Sequence, residues 1–174
     1  MRSTRSLLAP HAAAIVVALL VPSLAPAGET PAPGDAFPSL ESFQLEGTVP
    51  DVAAARVVIV DFWASWCAPC KASFPVFDEL HDKFGPKGLV IVAVSVDTRK
   101  AGMDAFVARQ KPTFPIVRDA AMKLVAAVDP PAMPTSFVLD SKGTVRFVHI
   151  GFHGGKSRDE YVEQIESILS ETTP

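Results

Sequence analysis

The two cysteines of the chain, Cys67 and Cys70, are separated only by Ala68 and Pro69, and Trp66 stands directly before the first of them. A disulfide over so short a gap closes a very small loop and removes little entropy from the unfolded chain. Structural stapling therefore explains the pair poorly. The C-x-x-C spacing is instead typical of thiol–disulfide exchange.

The segments around the pair predict where the two thiols lie. Residues 56–63 form a continuous apolar, β-branched run, typical of a strand buried on both faces. Apolar residues at helical spacing follow from Cys70 to the glycine at Gly85. Cys67 thus begins a helix, whose free N–H groups and dipole stabilise a thiolate. We assign Cys67 as the exposed attacking thiolate and Cys70 as the buried resolving thiol.

A metal site is the main alternative for two close cysteines. A structural zinc ion needs four ligands, and no ligand spacing links the cysteines to the histidines, which are His11, His81, His149 and His153. His149 falls in an edge-strand pattern and is expected to lie on the surface. Two thiolates could hold copper(I), so a copper-carrying binding module stays open as an alternative. The leading interpretation, redox exchange between thiols, needs no metal and no cofactor.

A second feature lies far along the chain, where Met133 and Pro134 precede the predicted strand at 135–140. Proline is allowed at the first residue of a strand, and cis peptide bonds are nearly always X–Pro bonds. A cis Met133–Pro134 bond would leave the backbone of Met133 free to pair with a substrate strand. A trans turn proline is the commoner case for such a sequence.

The remaining patterns predict one α/β domain. Residues 37–45 are interpreted as an N-terminal β-hairpin. The elements predicted after the first helix are a buried strand at 89–96, a helix at 101–110, a strand at 114–117, a helix at 120–128, strands at 135–140 and 144–150, and a last helix opening at a Ser157–Glu160 capping box. The strand–helix–strand unit implies a parallel pair and the late hairpin adds antiparallel strands, so we expect a mixed sheet with helices on both faces.

These residues together resemble the thioredoxin superfamily. The stretch 60–70 is similar to its active-site strand and helix, and 133–135 is similar to its cis-proline loop. The N-terminal segment, the run from Cys70 to Pro75, and an extra helix and strand near 104–118 resemble the TlpA/ResA-type periplasmic thiol–disulfide oxidoreductases. The resemblance implies a thioredoxin-like fold with an N-terminal β-hairpin and a central helix–strand insertion.

The same resemblance implies roles for individual residues. Cys67 is the nucleophile, Cys70 is the resolving cysteine that forms a disulfide with it, and a cis Pro134 keeps the substrate chain beside that disulfide. The residues implied to contact substrate are Trp66, Ala68, Pro69 and Met133. The resemblance also implies a reductase that receives electrons from a membrane dithiol protein. Its substrates would be apocytochrome c thiols (hence cytochrome c maturation), copper-protein cysteines or general periplasmic disulfides, with antioxidant activity among its roles.

The chain departs from the TlpA/ResA pattern at one place. Many such proteins carry glutamate three residues after the second cysteine, where this chain has Ser73, and often asparagine on the strand, where it has Asp61. Asp61 matches instead the buried aspartate of ordinary thioredoxins. A buried carboxylate has a raised pKa and can accept a proton near neutrality. We hypothesise that Asp61 takes the proton of Cys70 through water; a hydrogen-bonded structural carboxylate is the alternative.

The N-terminus has the order of a secretory signal peptide. Arg2 and Arg5 precede ten apolar residues at 12–21, and an Ala-Pro-Ala sequence ends at Ala27. Ten residues are too few to span a bilayer, which takes about 20; an uncleaved anchor is the alternative. We therefore predict a signal peptide at 1–27, a Pro/Gly-rich linker at 28–35 and a thioredoxin-like domain at 36–174. The protein would be periplasmic, where disulfides persist.

Charge and composition exclude some partners. The 174 residues carry a net charge of −3, and no basic stripe indicates nucleic acid. We expect a monomer that acts on protein thiols and disulfides and meets the membrane only if its signal is uncleaved.

Two enzymatic alternatives share the motif or the fold. A disulfide-forming oxidant would use the same pair, and reduction potential decides between it and a reductase. A peroxidase would need a threonine and a proline ahead of a peroxidatic cysteine, and 60–66 offers neither.

Overall fold

The structure is a computed structural model and describes residues 28–171. The predicted signal peptide at 1–27 lies outside the described residues. The strands are β1 (Val57–Trp63), β2 (Leu89–Ser95), β3 (Ile116–Arg118), β4 (Thr135–Asp140) and β5 (Val145–Ile150). The helices are α1 (Ala68–Phe84), α2 (Lys100–Gln110), α3 (Lys123–Val128) and α4 (Gly155–Ser170), with short 3-10 turns at Leu40–Ser42 and Gly85–Lys87.

The five strands form one mixed sheet in the order β3-β2-β1-β4-β5. The pairs β1/β2 and β2/β3 are parallel, whereas β1/β4 and β4/β5 are antiparallel. Helices flank this sheet, and the predicted α/β, thioredoxin-like fold class is confirmed. The predicted insertion is present as α2 and β3. The central strand β1 is buried along its whole length, as its β-branched run predicts.

Aromatic side chains build the core on the sheet face that α1 and α4 cover. Trp63 packs edge-on against Phe74 of α1, with ring centroids 4.7 Å apart. Phe106 of α2 lies 5.2 Å from the same indole, and Phe77 meets Tyr161 of α4 at 5.5 Å. Such edge-to-face pairs stabilise beyond the area they bury. They fix α1, and therefore its N-terminus, relative to β1.

The predicted N-terminal hairpin is wrong. Ala36 bridges Thr144 beside the outer strand β5, whereas Glu46 bridges Arg118 in the opposite outer strand. The segment between them crosses the sheet and turns through its 3-10 helix, so its two halves are too far apart to pair with each other. Phe37 of this segment is buried, and its ring centroid lies 5.2 Å from that of Phe137 in β4.

The predicted linker at 28–35 lies against the domain instead of standing apart from it. Gly34 N–H donates to the carbonyl of Val145 over 2.8 Å, the hydroxyl of Thr30 donates to the carbonyl of Asp129, and Pro31 is buried. Composition does not distinguish the two cases, because prolines and glycines suit a free linker and also an ordered, extended segment.

A cavity of about 310 Å³ lies between the N-terminal segment and the start of β1, lined among others by Phe37, Leu40 and Val58. It is at the end of β1 opposite to the cysteines.

Within residues 28–171, none of the helices has the length and apolar character that crossing a membrane requires.

Candidate active site

Cys67 and Cys70 lie where the chain passes from β1 into α1. Cys67 is the N-cap of α1, and Cys70 follows one turn later. Their sulfurs are bonded to each other, with Cα atoms 5.3 Å apart. The exposed fraction is 6% for Cys67 and 0% for Cys70. Of the two cysteines, only Cys67 therefore retains surface that a partner protein could reach.

The N-terminus of α1 favours negative charge at Cys67. The backbone N–H of Cys70 donates to Sγ of Cys67 over 3.2 Å. Pro69 lies in the first turn, where its missing N–H leaves no partner unsatisfied. The first turn of α1, which the structure describes in full, holds no acidic residue. When the disulfide is reduced, the helix dipole and this N–H therefore stabilise a thiolate on Cys67.

The surface around Cys67 is apolar and accessible. Trp66 is 69% exposed, an unusual state for so large a side chain. Ala68 and Pro69 are exposed as well. These three predicted contact residues therefore surround the accessible sulfur on its solvent side.

The Met133–Pro134 loop lies beside the same end of β1. Thr135 is paired with Phe62 in the antiparallel register, so Pro134 falls next to the point where the Cys67 loop leaves the strand. The Met133–Pro134 peptide bond is cis, as the resemblance implied. Met133 is half-buried and Pro134 is buried. The carbonyl of Pro134 accepts a 2.7 Å hydrogen bond from Gly151 N–H.

A buried aspartate fixes the loop between β1 and Cys67. Asp97, 4% exposed, follows β2. Its Oδ2 accepts from Ser65 N–H over 2.9 Å, and its Oδ1 accepts from the Ser65 hydroxyl over 2.6 Å. The hydroxyl of Ser95 donates to Oδ2 as well, over 2.8 Å. Sequence analysis missed this network, because Ser65 and Asp97 are distant in sequence and meet only in the fold.

Asp61 is fully buried on the sheet face beneath α1. It lies two residues before Trp63 on the same face of β1, and Trp63 packs against α1. The hydroxyl of Ser136 donates to Oδ1 of Asp61 over 2.6 Å. Oδ2 has no hydrogen-bond partner among residues 28–171. Burial raises the pKa of Asp61 to about 7, and the hydrogen bond from Ser136 opposes this rise.

Two hydroxyl residues that sequence analysis did not single out for function complete this arrangement. Ser136 is the cross-strand partner of Asp61, and its oxygen accepts a 2.8 Å hydrogen bond from the Tyr161 hydroxyl. Burial, followed by the charge of Asp61, raises the pKa of Tyr161 well above its usual range. The available signals were a serine in an apolar strand and the only tyrosine of the chain on the apolar stripe of α4.

Ser73 occupies the position where many TlpA/ResA-type proteins have glutamate. It is buried, and its hydroxyl donates to the carbonyl of Cys70 over 2.8 Å. This hydroxyl satisfies a carbonyl in the first turns of α1 and carries no charge. Asp61 is therefore the buried carboxyl group on the sheet face that α1 covers.

His149 lies next to the same cluster, contrary to the sequence-based expectation that it is on the surface. It is 8% exposed, because α4 covers the face of β5 on which it stands. Its ring lies 4.1 Å from that of Tyr161, and its Nε2 is 2.8 Å from Oε1 of Gln164. Burial lowers the pKa of His149.

Among residues 28–171, no group of three or more His, Cys, Asp or Glu side chains is arranged to hold a metal ion.

Residues 32–165 match the model of the Redoxin family. Over 117 residues the chain is 32% identical to a thiol-disulfide oxidoreductase ResA of Bacillus cereus, covering 67% of this chain and 64% of that protein. The chain thus spans slightly less than two thirds of the curated relatives that it matches.

The chain also superposes on solved structures of similar proteins. A Chlorobium tepidum protein assigned as thiol:disulfide interchange protein DsbE superposes with a TM-score of 0.74 at 32% identity, over 81% of this chain and 100% of that one. StoA from Bacillus subtilis superposes with a TM-score of 0.55 at 30% identity, over 62% of this chain and 83% of that one.

Proposed function

The chain belongs to the Redoxin family and is a TlpA/ResA-like member of the thioredoxin superfamily, and on that premise we propose that it is a thiol–disulfide oxidoreductase that reduces protein disulfides outside the cytosol. The observation that carries the proposal is the unequal exposure of two bonded sulfurs at a helix N-terminus. Cys67 keeps 6% of its surface exposed and Cys70 keeps none, and their sulfurs are bonded to each other. A pair arranged in this way can attack with one sulfur and resolve with the other.

The proposed cycle begins with the reduced protein. The Cys67 thiolate attacks one sulfur of a substrate disulfide, forms a mixed disulfide and releases the first substrate thiolate. Cys70 then loses its proton and attacks Sγ of Cys67. The Cys67–Cys70 disulfide forms and the second substrate thiol leaves. Two electrons have passed to the substrate, so a dithiol donor must reduce the protein again before the next cycle.

Asp61 is the proposed proton acceptor for Cys70. The thiol of Cys70 becomes nucleophilic only as a thiolate, and it is buried where water does not reach it freely. A carboxyl whose pKa is about 7 can take up that proton at neutral pH and release it later. Asp61 provides this group on the sheet face that α1 covers.

The surroundings of Cys67 support a protein substrate. The exposed indole of Trp66 and the exposed Ala68 and Pro69 form a shallow apolar surface on which a substrate chain can lie. Met133 and Pro134 lie beside the same end of β1, and we assign them to contact with the substrate backbone.

Residues 1–27 are proposed to be the signal that sends the domain to the periplasm, with 36–174 as the catalytic domain. A membrane dithiol protein is the proposed donor, and apocytochrome c thiols are one candidate substrate class.

Single cysteine variants test the order of the two sulfurs. Cys70→Ser removes the resolving thiol, so the variant should accumulate a mixed disulfide on Cys67 when it meets a peptide disulfide. Cys67→Ser should form none, because the remaining thiol is buried. Mass spectrometry after acid quenching counts the adducts. Equal trapping by the two variants, or trapping only on Cys70, would overturn the assignment.

A further inference from the structure

A row of polar side chains crosses the sheet beneath α4. Asp61 of β1 is paired with Ser136 of β4, and Ser136 is paired in turn with His149 of β5. Tyr161 of α4 lies over this row and reaches into it with its hydroxyl. All four side chains are buried. Buried polar groups reduce stability unless they form hydrogen bonds, so the hydrogen-bond partners within this row need to be identified.

The hydrogen bonds within the row run in one direction when Asp61 is ionised. The Tyr161 hydroxyl donates to Oγ of Ser136 over 2.8 Å, and the Ser136 hydroxyl donates to Oδ1 of Asp61 over 2.6 Å. Ser136 has only one proton to give, and Tyr161 occupies its oxygen as a donor. Ser136 therefore gives its proton to Oδ1, and hydroxyls in series strengthen each other's hydrogen bonds.

The two oxygens of Asp61 consequently differ. Oδ1 is engaged by Ser136, whereas Oδ2 has no partner among residues 28–171. A proton that reaches Asp61 can bind at Oδ2 while the bonds from Ser136 and Tyr161 stay in place. Asp61 can thus gain and lose a proton at Oδ2 while the hydrogen bonds of Ser136 and Tyr161 stay as they are.

We propose that Ser136 and Tyr161 are positioning residues for proton transfer, whose hydroxyls in series hold Oδ1 of Asp61 and leave Oδ2 as the atom that accepts the proton of Cys70. This inference rests on the proposed function, in which Cys70 gives its proton to Asp61 as it attacks the mixed disulfide. The proton leaves Cys70 Sγ and reaches Oδ2 through water. The electron pair of Cys70 forms the bond to Cys67 Sγ, and the bond between Cys67 Sγ and the substrate sulfur breaks, so the substrate leaves as a thiolate.

Other titratable groups near the row come from three elements. Cys70 belongs to α1, His149 to β5 and Glu160 to α4. His149 stacks on the ring of Tyr161, 4.1 Å away, and its Nδ1 is 3.7 Å from Oε2 of Glu160. His149 is the residue of β5 paired with Ser136, so a charge on its ring would act on Asp61 through space. Ser136 is the direct hydrogen-bond donor to the carboxyl.

The test uses the oxidised protein, in which the two cysteines do not titrate. Difference infrared spectroscopy follows the carbonyl stretch of protonated Asp61 as pH rises, and Asp61→Asn identifies the band by its loss. Ser136→Ala removes a hydrogen bond to the ionised form, so the midpoint should move upward by about one to two pH units. Tyr161→Phe should move it the same way by less, and Ser136→Thr should restore it.

Ser157→Ala is the matched control. Ser157 is a buried serine of α4, one turn before Tyr161, and its hydroxyl oxygen accepts from His153 N–H over 2.9 Å. The control deletes a hydroxyl from the same helix outside the row, so the Asp61 midpoint should stay at its wild-type value. Circular dichroism checks that each variant is folded.

Rapid mixing with acid quench then gives the rate at which Cys70 resolves the mixed disulfide at each pH. The inference is supported if Ser136→Ala and Tyr161→Phe shift this profile together with the infrared midpoint. It is overturned, with the proposed function intact, if Asp61→Asn abolishes the pH dependence but neither hydroxyl variant shifts a midpoint. If Asp61→Asn leaves the profile unchanged, the proposed role of Asp61 fails, and the inference fails with it.

Discussion

The Asp61 carboxyl reduces the stability of the oxidised fold near neutral pH. Its pKa rises from 3.8 to about 7 because burial penalises the ionised form. Between these values the unfolded chain releases the proton while the native protein keeps it. The free energy of unfolding therefore falls as pH rises through this window, and above it the penalty is complete. At about 1.4 kcal/mol for each tenfold change in proton affinity, the penalty is at most on the order of 4 kcal/mol.

Asp61→Asn should remove this penalty. The gain in stability over wild type should be small at pH 4, where both side chains are neutral, and should grow to a few kcal/mol at pH 8. Urea denaturation of the oxidised proteins at the two pH values measures it. A gain that is the same at pH 4 and pH 8 would show that Asp61 does not titrate in this window.

For individual residues, the sequence predicts those that belong to local motifs and misses those whose contacts depend on strand register. Cys67, Cys70 and Asp61 follow from one continuous stretch and a family resemblance. The contact of Ser136 with Asp61 depends on the pairing of β1 with β4, which no local pattern specifies. His149 was predicted to be on the surface because an edge strand usually exposes one face, but α4 covers it.

The loop that presents Cys67 is held by a contact between elements. Gly102, in the first turn of α2, lies so close to this loop that a Cβ there would be 2.7 Å from Oγ of Ser65 and 3.6 Å from Oδ1 of Asp97. The absence of a side chain lets α2 pack onto the bonded pair Ser65–Asp97. We interpret this contact as part of what keeps the loop in place.

Gly102→Ala tests this packing. Alanine normally stabilises a helix by about 1 kcal/mol relative to glycine, but here its methyl group displaces the Ser65 hydroxyl. The substitution should be neutral or destabilising in wild type, and stabilising once Ser65→Ala has removed that hydroxyl. A double-mutant cycle by urea denaturation should give a coupling of about 1 kcal/mol or more. The same effect in both backgrounds would contradict the contact.

Strands and helices with strong patterns were predicted well, and their exceptions have local causes. Residues 37–45 bury Phe37 and Leu40. The residues that flank this stretch, Ala36 and Glu46, bridge two different sheet edges, which a hairpin pattern does not distinguish. Helix α4 begins at Gly155 and not at Ser157. The hydroxyl oxygen of Ser157 accepts from His153 N–H, so this serine closes the preceding loop from inside the helix.

For the molecule as a whole, the fold follows from the sequence more readily than the direction of electron flow. Buried strands, α1 and the cysteine spacing predict a mixed α/β domain, and the family resemblance identifies it as thioredoxin-like. The same domain can reduce or oxidise, because direction depends on the relative stability of the dithiol and the disulfide. Ala68 and Pro69 do not determine that balance by their identity alone.

The reduction potential of the Cys67–Cys70 couple therefore tests the central claim most directly. It is measured on the full chain by equilibration in dithiothreitol and glutathione buffers, with trapped thiols counted by mass spectrometry. A reductase fed by a dithiol donor should have a value near or below that of thioredoxin, about −270 mV. A value near −120 mV, typical of strong periplasmic oxidants, would contradict the account and make disulfide formation the function.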